Sequence, residues 1–198
     1  MPRAVGAKEK VEQAAVALFA ANGVGGASIA DIASAAGVSQ GALYRHYPSK
    51  EALAAALFEA AYRRTTSGLV SIRAGKAGFA ARIEAMVAHF CALYDRDPAL
   101  FRFMLMAQHD VLPALGDGFA TPAWVVEATI ADAVAAGELP PVDPAAGAAI
   151  VMGAVLQTAT FHLYGRIEGP LAPRASGLAA AAIAGVRALA EAAIVPAD

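Results

Sequence analysis

The sequence predicts an all-α chain, and three observations carry that expectation. Apolar residues recur at helical spacing along almost the whole length, while almost nothing alternates with period two. Gly, Pro and capping residues divide the chain into segments of helical length. The hydrophobic fraction of 58% owes much to Ala, the best helix former and a weak hydrophobe.

The segments follow in order. Residues 8–22 form a first helix with Val11, Ala15, Leu18 and Phe19 on one stripe, closed by Asn22-Gly23. Ser28 is an N-cap with Asp31 three residues on, close to a capping box. Residues 29–36 make a short second helix with Ile29, Ile32, Ala33 and Ala36 facing in. Gly37 then accepts a left-handed turn without a Cβ penalty, and Ser39 caps a third helix. That helix is expected from Gln40 to Tyr47, about two turns, because Pro48 pushes the residue before it out of the α region. Leu43 and Tyr47 share one face, and Gly41, Ala42, Tyr44 and Arg45 share the other. Two helices joined by a short turn containing Gly form a helix-turn-helix pattern.

Ser49 caps a fourth helix, expected over 49–74, with Glu51 in its first turn complementing the dipole. Gly75-Lys76-Ala77-Gly78 breaks the pattern and is the expected domain joint. Helices follow at 79–95 and from Asp97-Pro98, then a Gly- and Pro-rich loop from Val111 to Phe119. Pro122 starts a helix reaching about Ala136, and Asp143 caps an uncharged helix over 144–165. An Ala-rich helix over 175–194 ends the series.

Composition narrows the function. A length of 198 residues suits one large domain, or a small domain plus a larger one. The formal net charge is -2, but it is unevenly spread. Residues 1–73 hold eight basic and five acidic side chains, so this part is +3 and the remainder -5. A basic segment attached to an acidic one fits a reader of phosphates with a separate second role. The mean hydropathy of +0.52 raises the question of a membrane span. The one serious candidate, Pro144–Gly165, contains Gln157, Thr158, Thr160 and His162 and is poor in Leu and Phe, so no membrane partner is expected. No signal peptide is read, and Cys91 is the only cysteine, which makes the cytoplasm the expected compartment.

Residues 28–53 resemble the DNA-binding domain of TetR-family transcriptional regulators. The resemblance is carried by Ser28-Ile-Ala-Asp-Ile-Ala33, Ala36-Gly37-Val38-Ser39, Gly41-Ala-Leu43-Tyr44, His46-Tyr47 and Ser49-Lys50-Glu51-Ala-Leu53. Tyr47 stands where Phe is commoner, and Ala42 offers a methyl group where a polar residue could read a base. The resemblance implies an N-terminal helix-turn-helix domain, residues 1–53, joined by the fourth helix to a helical ligand-binding and dimerisation domain, residues 75–198. It also implies a repressor that binds a double-stranded DNA operator as a homodimer and is released by a small hydrophobic effector.

Nine residues are candidates for the DNA contact. Ser28, Ser39 and Lys50 sit at helix N-termini, where backbone N–H groups and the dipole favour phosphate, although plain capping accounts for them as well. Tyr44 and His46 would donate to phosphates. Gln40 and Arg45 suit bidentate pairing with adenine and guanine, Arg45 equally a phosphate contact, while Gly41 and Ala42 permit close approach and touch thymine methyls. A basic arm, Arg3 to Lys10, either reaches the minor groove or is disordered.

The resemblance implies an effector pocket, and its candidate residues are Phe90, Phe101, Met104, Gln108, Trp124, Met152, Gln157 and Phe161, an apolar set with sparse polar anchors in which any single Met or Phe is otherwise a core residue. Val151, Val155, Thr158, Ala182, Val186 and Leu189 are the expected dimer contacts, unless one of the two helices merely completes the monomer core. No catalytic grouping, metal spacing or cofactor motif is found: His89, His109 and His162 lack short ligand spacing. An all-α enzyme or small-molecule carrier is the competing class.

Overall fold

The computed structural model describes residues 6–112 and 120–192. Among them there is no strand. The helices are α1 (Ala7–Gly26), α2 (Ile29–Ala36), α3 (Gln40–Tyr44), α4 (Lys50–Gly75), α5 (Phe79–Arg96), α6 (Pro98–Val111), α7 (Pro122–Ala135), α8 (Pro144–Leu163) and α9 (Ala175–Ala192), with a 3-10 turn at Ala172–Arg174. Most of the loop expected over 111–119, residues 1–5 of the basic arm and the end expected for the last helix lie outside the described residues. The chain forms two compact units, Met1–Tyr62 with Asp97–Phe119 and Arg63–Arg96 with Ala120–Asp198.

In the first unit the punctuation read from the sequence takes physical form. Gly23 adopts φ 73 and interrupts α1 where Asn22-Gly23 was expected to close it. Ser28 Oγ accepts from the Asp31 N–H at 3.1 Å, and the Asp31 carboxylate accepts from the Ser28 N–H at 3.2 Å. This reciprocal capping box satisfies two donors that the helix start leaves open. Gly37 sits at φ 66, ψ 36, where a Cβ would be strained, and its N–H donates back to Ala33 and Ser34.

The helix expected over 40–47 is shorter than its pattern. α3 ends at Tyr44, and the N–H groups of His46 and Tyr47 both converge on the Leu43 carbonyl, at 2.9 and 3.0 Å. The proline keeps the residue before it out of the α region, so the helix cannot run on past this turn. Ser49 Oγ then accepts from the Ala52 N–H at 3.0 Å and opens α4.

Val11, Ala15, Phe19, Ile32, Leu43, Leu53 and Phe58 are buried in this unit. α6 packs on α1 in the same unit, and the Phe19 and Phe103 rings stack with centroids 5.6 Å apart. Chain order alone grouped α6 with the later helices.

The second unit holds the end of α4 with α5, α7, α8 and α9, and the Gly75–Gly78 link lies within it. Arg73 near the end of α4 grips Asp132 of α7 with two parallel bonds, Nε to Oδ2 at 2.9 Å and Nη2 to Oδ1 at 3.0 Å. Arg82 approaches the same carboxylate at 3.5 Å. The Arg73 hydrogen bonds hold the Asp132 carboxyl below the usual range, against a smaller opposing effect of burial. Both side chains are about a third exposed or more, so the pair is worth no more than about 1 kcal/mol.

α8 packs on α7 and α9 at close quarters. A Cβ at Gly147 would stand 2.9 Å from Ile130 Cδ1, and one at Gly185 2.9 Å from Ile150 Cγ2. α5 meets α4 at a narrower notch still. The His89 ring lies where a Cβ on Gly68 would be, 2.6 Å from its Cε1. The His89 Nε2 is buried without a hydrogen-bond partner, and burial followed by the Arg96 charge lowers its pKa.

Gly68→Ala is therefore expected to destabilise the chain. Its gain in helix propensity is about 0.5–1 kcal/mol, while overpacking the ring costs about 1–3 kcal/mol. Urea denaturation should register that net loss, and adding His89→Ala to Gly68→Ala should recover it. The wild type should also lose stability as the pH falls through the ordinary histidine range, since unfolded His89 takes up a proton that folded His89 resists. Denaturation curves for His89→Ala should show that slope flattened.

Candidate nucleic-acid interface

α3 has an inner and an outer side with no shared residue. Leu43 is fully buried and Tyr47 only 8% exposed, so both turn into the first unit. Gln40, Gly41, Arg45 and His46 are exposed, Tyr44 is 50% exposed and Ala42 is half-buried. Among the described residues, no side-chain hydrogen bond or ion pair holds Gln40, Tyr44, Arg45 or His46. Four polar or aromatic groups thus project from one short helix and its following turn with their donors unspent.

Ser28, Tyr44 and Lys50 come together beside that face. They line an open groove with Pro48, Ser49 and Glu51, at the junction of the starts of α2 and α4. Ser28 and Ser39 serve as caps: Ser39 Oγ accepts from the Ala42 N–H at 3.2 Å. Ser28 Oγ also donates to Asp31 at 2.6 Å. Lys50 is not a free cation. Its Nζ donates to the Gly25 carbonyl at 3.3 Å and stands 3.9 Å from Glu51 Oε1. The sequence carried no signal for the Gly25 contact, because the partner is a backbone carbonyl 25 residues away.

The remaining candidates divide by burial. Phe101, Met104 and Gln108 lie in the first unit, and Phe90, Trp124, Met152, Gln157 and Phe161 in the second. Phe90, Phe101 and Met104 are buried, whereas Trp124 is 50% and Phe161 45% exposed. Gln157 and Phe161 line an open groove on the outer side of α8 and α9, together with Ile150, Gly153 and Leu178. These two therefore face outward and not into an interior pocket.

Val151, Val155 and Val186 are buried within the single chain, in the second unit's own core, which is the alternative the expectation left open. Thr158 and Ala182 border the outer groove, and Leu189 is half-buried. The reason is helical phase: 151 and 155 lie two residues, about 200°, from 153 and 157.

Among the described residues no His, Cys, Asp and Glu form a metal-holding group. Cys91 is buried, and burial, then the Asp95 charge, push its thiol up, which leaves it a poor nucleophile. His162 Nδ1 is engaged by the Tyr94 hydroxyl at 2.7 Å.

Residues 13–57 match the family model described as bacterial regulatory proteins, tetR family. A comparison with curated proteins finds no match. Several solved structures share the fold over nearly the whole length. The fatty acid degradation regulator FadR from Bacillus halodurans is 16% identical with a TM-score of 0.78, covering 93% of this chain and 98% of its own. FadR from Bacillus subtilis, in complex with stearoyl-CoA, is 17% identical with a TM-score of 0.76, at 90% and 98% coverage. A tetR-family regulatory protein from Rhodococcus RHA1 is 20% identical with a TM-score of 0.73, at 91% and 96% coverage. In its segment 13–57 the chain is similar to bacterial regulatory proteins of the tetR family, and over nearly its whole length it shares the helical fold of these solved structures.

Proposed function

We propose that this chain is a non-enzymatic, cytoplasmic repressor that binds a pseudo-palindromic DNA operator as a homodimer and is released by a small hydrophobic effector. The observation that carries the DNA contact is the outer side of α3. Gln40, Tyr44, Arg45 and His46 are solvent-facing and unengaged over a buried Leu43 and Tyr47. Gly41 and Ala42 keep the start of that side smooth, so backbone and methyl group can approach base edges closely. The groove of Ser28, Tyr44 and Lys50 lies where a phosphate backbone would run, and Lys50 would exchange the Gly25 carbonyl for a phosphate. Residues 1–53 would form the DNA-binding domain, α4 the connection, and residues 75–198 the ligand-binding and dimerisation part.

Dimerisation is supported by the surface of α8 and α9. Only 28% of the apolar stretch of α8 and 33% of that ending in α9 are buried within one chain. Both helices are long and apolar enough to cross a membrane, yet they pack on α5 and α7, and their outer side offers Gly153, Gln157, Phe161 and Leu178. A second copy would cover this side and set two α3 helices about 34–36 Å apart. An effector would act by preferring a dimer with a different spacing. Apolar residues such as Phe90 suit a hydrophobic effector, as does the stearoyl-CoA bound by the Bacillus subtilis neighbour.

Two measurements test this reading. In a gel shift against the DNA upstream of its own gene, the wild type is expected to bind at low salt, and absence of any shift refutes the DNA role. Arg45→Ala should lose about 1–3 kcal/mol at one base position if the guanidinium reads guanine, and should lose affinity uniformly if it contacts phosphate. Phe161→Asp should convert the dimer to monomer in sedimentation equilibrium while leaving the helical circular dichroism intact.

A further inference from the structure

One long-range polar contact lies beneath α3. The Tyr47 hydroxyl donates to Glu12 Oε1 at 2.6 Å, joining groups 35 residues apart in sequence. Glu12 belongs to α1, and Lys8 Nζ stands 3.7 Å from the same carboxylate oxygen, one turn earlier. A hydroxyl-to-carboxylate bond of this length is charge-assisted and among the stronger kinds. Burial, then the hydrogen bond and charge of Glu12, push the Tyr47 hydroxyl up, so the donor keeps its proton at any physiological pH.

The two ends of α3 are held differently. Its start is tied to α2 by the Gly37 turn and the Ser39 cap. Among the described residues its far end is held by the backbone bonds to Leu43, the buried Tyr47 ring and the hydroxyl bond to α1. Ring burial is non-directional, so it holds α3 down without fixing its angle. The hydroxyl bond is directional and fixes the angle. A phenylalanine at this position would keep the first effect and lose the second.

We propose, resting on the DNA-binding reading above, that Tyr47 and Glu12 are positioning residues. Their hydrogen bond sets the pose in which Gln40 and Arg45 meet base edges. Its loss costs discrimination between sequences more than it costs folding.

The test uses the full-length chain and two duplexes of equal length, one selected by the wild type from a random-sequence library and one unselected. Tyr47→Phe and Glu12→Ala should each weaken binding to the selected duplex about three- to ten-fold, with little change for the unselected one. Glu12→Gln, which keeps an acceptor, should restore most of the loss. The double variant Tyr47→Phe/Glu12→Ala should be no worse than either single variant, since both remove one bond. Hydrogen exchange of residues 40–47 in the free protein should quicken in Tyr47→Phe while α2 stays protected. Equal losses on both duplexes, or an unaltered ratio, overturn the positioning role. A wild type that selects no duplex overturns the DNA reading instead, and unaltered exchange in Tyr47→Phe then overturns this proposal separately.

Discussion

A five-residue helix closes too few backbone hydrogen bonds to persist alone, so the outer side of α3 depends on the two side chains buried beneath it. Leu43 and Tyr47 are four residues apart, one turn, and both point into the first unit. Without them the caps at Ser28, Ser39 and Ser49 would have nothing to align. With them, short helices that could not survive in isolation present a defined row of polar groups. The same constraint explains the economy of the segment: where the helix is so short, its two ends must be tied to neighbours, α2 on one side and α1 on the other.

The second unit meets a different requirement. α8 carries no charge and α9 few, so neither has a polar side that dictates which way it turns. Their orientation comes from fit. Gly147 lets Ile130 approach and Gly185 lets Ile150 approach, at distances that a methyl group would block. Directional contacts then pin the periphery: Arg73 to Asp132, the Glu138 carboxylate on the Phe79 N–H at 2.5 Å, and Asp95 on the N–H groups of Leu171 and Ala172. The apolar area left over faces outward.

Local chemistry was legible in the residues themselves. The Ser28–Asp31 box, the left-handed Gly37, the inward Leu43 and Tyr47, and the Pro48 stop are each decided within a few positions of the chain. So is the outward set Gln40, Tyr44, Arg45 and His46. α3 itself is shorter than its pattern, since the N–H groups of His46 and Tyr47 both turn back on the Leu43 carbonyl.

What only the tertiary structure decided involves partners far apart in sequence. Tyr47 bonds Glu12 and Lys50 bonds the Gly25 carbonyl, neither of which any local spacing announces. α6 packs on α1 although chain order places it among the later helices. α8 makes the point most sharply. Its two stripes, Val151 with Val155 and Gln157 with Phe161, are both plausible as core from composition, and the structure buries the first and leaves the second on an open groove. Periodicity can locate a face only when the opposite face differs from it. An amphipathic segment such as α3 therefore orients itself from sequence, whereas a helix apolar all round is oriented by the shape of its neighbours.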